Sequence, residues 1–123
     1  MNFSLRGRWP VALDTPKDQW TGYFGMVIPD SVKTLPIFKN PDSLQVGIQK
    51  WQYGLVAEIL HLGPYSSEAS TLKKLTDYID QQGYTIAGEH EEEYLKGPGM
   101  FGPGNPEKYM TIIRYRVKKK AID

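Results

Sequence analysis

The densest group of chemically useful side chains in this chain is the run Glu89-His90-Glu91-Glu92-Glu93-Tyr94. Read as a strand, it puts Glu92 and Tyr94 on one face and Glu91, Glu93 and Leu95 on the other, because strand side chains alternate with a period of two. A bulge would change that register. A carboxylate beside aromatic rings on a partly desolvated face suits two tasks. It holds a cationic ligand, or it moves a proton as a general acid or base. If the protein is an enzyme, Glu92 and Tyr94 are the expected catalytic residues. The same run also reads as an ordinary charged face of an edge strand, and residue types alone leave both readings open.

The second source of chemistry is aromatic. The 123 residues include three Trp, eight Tyr and four Phe, many of them beside glycine or proline, and such rings often line pockets or interfaces. Trp20, Tyr23 and Trp51 are flat platforms for apolar contact or for a cation, with core packing as the alternative. Tyr65 follows Gly63-Pro64, so a constrained turn directs its ring either into a pocket or onto the next helix as a plug. Trp9 and Phe101 are candidates for a rim. Phe101 and Met100 belong to the glycine-rich stretch 97–106, which reads as a lid over a cleft or as a plain connection.

Other chemistries find no support. His61 and His90, with scattered carboxylates, match no metal-ligand spacing, so no metal and no cofactor are expected. Ser66-Ser67 lacks a nucleophile elbow, and the glycines at 99–104 precede a strand rather than a helix, which argues against a phosphate loop.

These side chains need elements to position them. Short strands are expected over 1–9 and 20–28, and the most continuous apolar strand pattern spans 53–62. Pro36 and Pro41 interrupt 30–43, where a short helix over 31–38 is weakly signalled. Residues 44–49 read as a short strand or an extended connection. Leu72, Leu75, Tyr78 and Ile79 recur at spacings of three and four, giving an amphipathic helix that Gly83 ends as a left-handed cap. Two further strands, 84–95 and 109–117, complete a βαββ order over 53–117.

Length and composition bound the whole. The chain is long enough for one core and too short for two. Its apolar and charged fractions, 40% and 24%, are those of a globular protein, and its net charge of +1 argues against a dedicated nucleic-acid binder. Lys118 to Lys120 read as a solvated tail. The absence of cysteine rules out disulfides and thiolate metal sites and fits a cytoplasmic location. No stretch approaches the roughly 18 apolar residues of a membrane span, and no secretion signal opens the chain.

The run Val56-Ala57-Glu58-Ile59-Leu60-His61-Leu62-Gly63-Pro64-Tyr65, the helix ending at Gly83-Tyr84, then Glu92-Glu93-Tyr94-Leu95 and Thr111 to Val117 together resemble the second half of GyrI-like domains. These are also known as the effector-binding domains of multidrug-sensing regulators. The stretches 3–9 and 20–30 are similar to paired strands in the first half of the family's stand-alone branch, so the resemblance covers nearly the whole chain. The Gly-Pro-Tyr turn combined with Glu-x-Tyr-Leu is moderately specific.

The resemblance implies an α+β fold built from tandem βαββ units, with an antiparallel sheet, helices on one side and a ligand cleft where the units meet. It carries the family's cleft glutamate onto Glu92 and sets Trp20 and Tyr23 across the cleft from it. It implies a lipophilic, often cationic small-molecule ligand. Some stand-alone members are similar to hydrolases that open cyclopropane rings of genotoxic compounds, and others are associated with inhibition of DNA gyrase. The family's first strand and helix have no counterpart here. One domain is therefore expected, with 1–43 a truncated first unit and 44–123 a complete second one. The edge and apolar surface left open predict a homodimer. No helix-turn-helix is present, so direct contact with nucleic acid is not expected.

Overall fold

Strand-forming residues from both ends of the chain meet in one antiparallel sheet. The structure is a computed structural model and describes residues 4–10, 15–36, 44–99 and 102–121. Its elements are β1 (Leu5–Trp9), β2 (Tyr23–Gly25), β3 (Val56–Leu62), α1 (Glu68–Gln81), β4 (Tyr84–Ile86), β5 (His90–Lys96) and β6 (Met110–Lys119). The six strands run in the order β2-β1-β5-β6-β3, with β4 also paired to β6. All pairings are antiparallel. The expected α+β class with an antiparallel sheet is what the chain adopts.

Several boundaries differ from the sequence expectation. The apolar run 53–62 becomes strand only from Val56, and the stretch 20–28 only at Tyr23–Gly25. Residues 44–50 form no strand, and 31–36 no helix. The strand expected over 84–95 is two strands laid in succession along the same side of β6, with Ala87, Gly88 and Glu89 between them. The edge-strand reading of the glutamate run does not hold, because β5 lies inside the sheet between β1 and β6.

The helix explains which half of the sheet is dry. Leu75 and Ile79 pack on Ile113 and Tyr115, with Leu72, Ala57, Ile59, Tyr84, Ile86 and Val117 around them. This is the apolar stripe that the three-and-four spacing predicts. The helix closes at Gly83, whose φ of +82° suits the left-handed cap. His61 ties the turn to the helix: its Nδ1 lies 2.7 Å from Thr71 Oγ1 and its Nε2 2.9 Å from the Pro64 carbonyl. That pairing gives His61 a structural task. Among the described residues, no helix is long and apolar enough to cross a membrane.

α1 packs on β3 and β4. The first half of the chain, β1 and β2, brings no α-helix among its described residues. The same sheet face over β2, β1 and β5 is therefore left with loops and side chains above it.

Candidate functional site

On that uncovered half, directly opposed residues share a face. Gly7 pairs with Phe24 on one side and Glu92 on the other, Leu5 with Tyr94, and Trp9 with His90. Alternation then sorts the strand: His90, Glu92 and Tyr94 face one way, Glu91 and Glu93 the other. A register shift interrupts the β5–β6 pairing between Tyr94 and Lys96. It falls beyond Glu92, so the expected sharing of a face by Glu92 and Tyr94 survives.

These side chains border an open cleft of about 600 Å³, lined by Leu5, Trp9, Trp20, Phe24, Tyr65, Glu68, Glu92, Tyr94, Gly97 and Pro98. No lysine or arginine is among them. Trp9 meets Trp20 at 5.7 Å between ring centroids and Phe24 edge-on at 5.8 Å. Gly7 makes room for this cluster, since a Cβ there would lie 2.6 Å from the tip of the Trp9 ring. The Trp20 indole donates to the Thr15 carbonyl at 2.7 Å, which fixes the ring. On the opposite wall Tyr65 stands edge-on to Tyr94 at 5.8 Å and leans on Tyr109 at 5.3 Å. Its hydroxyl comes close over Gly97, where a Cβ would be only 2.7 Å away.

Glu92 is 5% exposed. One oxygen, Oε2, lies 2.6 Å from His90 Nε2, and His90 Nδ1 lies 2.6 Å from the Tyr115 hydroxyl. A buried chain Tyr115–His90–Glu92 thus ends in the cleft. Three phenols register the negative charge there. Burial first, and then Glu92 and Glu68, push the Tyr94 phenol far above its ordinary value. Tyr65 is raised by burial, then by Tyr109, Glu68 and Glu92. Tyr115 is raised by burial and then by Glu92. All three remain neutral hydroxyls at physiological pH, and the site disfavours further negative charge.

The other face of the same strand is built differently. Glu91 takes Arg8 Nε and an Arg114 terminal nitrogen, each at 2.6 Å, and the Tyr53 hydroxyl at 3.0 Å. Glu93 takes Ser4 at 2.7 Å and Arg114 at 3.1 Å, with Arg6 at 3.4 Å. Glu58 takes Arg114 Nε at 2.6 Å. Trp51 lies here, its ring 4.3 Å from the Arg8 guanidinium.

The structure therefore assembles Glu92, Tyr94, Trp9, Trp20 and Tyr65 at one cleft and leaves two expected rings out of it. Trp51 covers the arginine network on the opposite face. Tyr23 pairs with Arg8, so it projects to that same opposite face, and Phe24 takes the cleft position. Of the two expected rim residues, Trp9 lines the cleft, and Phe101 lies outside the described residues, as does Met100. Sequence reasoning passed over Leu5, Phe24, Glu68 and the role of His90. For His90 the signal was available, because residues 90 and 92 share a strand face. Among the described residues no group of three or more His, Asp or Glu could hold a metal ion.

No protein-family model matches this chain, and no curated protein matches it. Among solved structures it is similar to a hydrolase from Listeria innocua, with a TM-score of 0.73 at 22% identity over 94% of this chain and 62% of that one. It is likewise similar to an uncharacterized conserved protein from Listeria innocua, with a TM-score of 0.76 at 23% identity over 94% and 64%. A third similarity is to a chain of the EcmrR–DNA complex in EcmrR-RPo, with a TM-score of 0.64 at 18% identity over 96% and 40%. At these identities the likeness is one of fold. The chain spans less than two thirds of each of the three.

Proposed function

We propose that this domain is a GyrI-like binding module that captures a lipophilic cation in the aromatic cleft. The observation that carries the reading is Glu92, a buried carboxylate bordering a cleft whose lining, among the described residues, contains aromatic rings and no lysine or arginine. Rings offer their faces to a cation and exclude water, and the carboxylate supplies the opposing charge at low dielectric. Trp9, Trp20 and Phe24 form one wall, Tyr65 and Tyr94 the other. Such a module acts as a sink or a sensor.

Hydrolysis of a strained electrophile is the second reading. It is favoured by the Tyr115–His90–Glu92 chain, which links a buried carboxylate to groups able to hold or pass a proton. In it Glu92 activates water or protonates the leaving carbon, and Tyr94 orients the substrate. Resemblance to the ring-opening branch of the family and the fold of a Listeria hydrolase both support it.

One experiment separates the two. A lipophilic quaternary ammonium and a cyclopropane-bearing electrophile are titrated against the wild type and Glu92→Gln, with tryptophan fluorescence for binding and small-molecule mass for turnover. The binding reading expects no mass change and a loss of about tenfold or more in cation affinity, equivalent to about 1.4 kcal/mol. Turnover that Glu92→Gln abolishes while binding survives establishes the enzyme instead.

Self-association belongs to the same reading. β2 is a terminal strand of the sheet, and Phe24 within it and Met26, Val27 and Ile28 just after it are exposed. A second copy laid there would cover them and close the side of the cleft that Phe24 borders. Sedimentation at micromolar concentration is expected to give a dimer, and a monomer removes this part of the proposal.

A further inference from the structure

Glu92 reaches the cleft with one oxygen already committed. His90, 4% exposed, holds Oε2 through Nε2 at 2.6 Å and reaches the Tyr115 hydroxyl through Nδ1 at 2.6 Å. The groups facing the imidazole are Glu92 on its own strand, Tyr115 from β6, and the indoles of Trp9 and Trp20 at 5.8 and 5.4 Å. Of these, among the described residues, only the carboxylate and the phenol titrate; Glu68 of α1, a second buried carboxylate, lines the same cleft and acts on Tyr65 and Tyr94. The two indoles that shield His90 are themselves cleft walls, so a ligand seated on them lies one ring away from the imidazole.

Two proton counts satisfy this geometry. With neutral imidazole, Nε2–H donates to the Glu92 carboxylate and Nδ1 accepts from the Tyr115 hydroxyl, leaving the pair with one negative charge. With one more proton both ring nitrogens donate, the Tyr115 oxygen accepts by rotating its hydroxyl, and the pair becomes a neutral imidazolium–carboxylate. Tyr115 suits either role, since burial and then the Glu92 charge keep it a phenol. No other hydrogen bond has to break between the two states.

From this we infer that His90 is a specificity-determining residue of the cleft: its protonation decides whether Glu92 offers a net negative charge to a cation or a neutral pair to an uncharged ligand. The inference rests on the binding reading above and adds a selector to it. A cation entering the cleft favours the negative pair and expels the proton, while a neutral ligand of the same shape is indifferent to it.

The test uses a permanently charged naphthylmethyl-trimethylammonium and its uncharged tert-butyl isostere, so that the probes themselves do not titrate. Affinities are measured by calorimetry from about pH 8 to about pH 5, the range in which histidine characteristically changes charge. The wild type is expected to lose about tenfold or more in cation affinity across that range, with the isostere changing less than about twofold. His90→Gln keeps a polar side chain but takes up no proton, and its cation affinity should fall by less than about threefold over the same range. Tyr115→Phe removes the acceptor needed by the charged ring more than the donor needed by the neutral one. The fall in cation affinity should then set in at lower pH than in the wild type.

A tenfold fall that persists in His90→Gln overturns the inference and leaves the binding reading standing, because a cleft carboxylate, Glu92 or Glu68, is then titrating without His90. Cation affinity at high pH that Glu92→Gln does not change overturns the binding reading itself. Nitrogen-15 spectra of the His90 ring provide a check without ligand. Its titration must move when Glu92 becomes Gln, and a ring indifferent to that substitution also overturns the coupling.

Discussion

Glu91 and Glu92 are neighbours on β5 and almost equally buried, at 2% and 5% exposed, yet their surroundings are opposite. Glu91 faces two arginines and a tyrosine hydroxyl, within a network of Arg6, Arg8 and Arg114 against Glu58, Glu91 and Glu93. Glu92 faces one histidine and a cleft of aromatic rings that Glu68 also lines. Three cations against three anions leave the first face electrically closed. On the second face the carboxylate's partner is a histidine, and the face borders an open cleft. Burial alone therefore does not set a carboxylate's surroundings; the partners that distant strands bring to it do.

Breaking the closed face should cost most. Arg114→Met strips three carboxylates of a shared partner, and urea denaturation is expected to show a loss of about 3–5 kcal/mol. Gly7→Ala acts on the open face, where the new methyl meets the Trp9 ring. A loss of about 1–3 kcal/mol is expected, together with weaker cation binding, because the ring must leave its place in the wall. A variant that loses stability but binds normally would detach Trp9 from the ligand.

The pair Trp51→Ala and Phe24→Ala sharpens the division between faces. Trp51→Ala should cost about 1 kcal/mol through its contact with Arg8 and leave cation affinity unchanged. Phe24, already 63% exposed, should cost little stability on truncation and lower cation affinity several-fold. Equal effects of both on binding would erase the distinction.

The smallest effect is one of pH. Burial pushes the Glu93 carboxyl up, but hydrogen bonds from Ser4 and Arg114 and the charges of Arg6 and Arg114 outweigh it and hold the group below its ordinary value. The folded state then binds this proton less tightly than the unfolded chain. The stabilisation is complete above the unfolded-state value and is lost as pH falls through the folded one. Unfolding free energies measured through the acid range should fall less steeply in Glu93→Gln than in the wild type.

Local pattern made part of this legible. Alternation along β5 put Glu92 with Tyr94 and apart from Glu91 and Glu93, and the three-and-four spacing of Leu72, Leu75 and Ile79 gave the helix and its buried stripe. The choice between Tyr23 and Phe24 was not legible, because it depends on which of them stands opposite Gly7, a pairing between strands separated in sequence. A shift of one residue would exchange them. Trp51 lies in a stretch without regular structure, where no periodicity indicates a face. Glu68 reads as the first residue of a helix, and only the docking of α1 on the sheet brings it to the cleft.

The sequence by itself determined the α+β class, the amphipathic helix and the division of the glutamate run into two faces, since each follows from neighbours along the chain. Tertiary structure alone decided which face would be closed by arginines and which would border the cleft. That outcome depends on which distant residues arrive there, arginines from β1 and β6 on one side, and on the other an imidazole backed by Tyr115 and walled by two tryptophans.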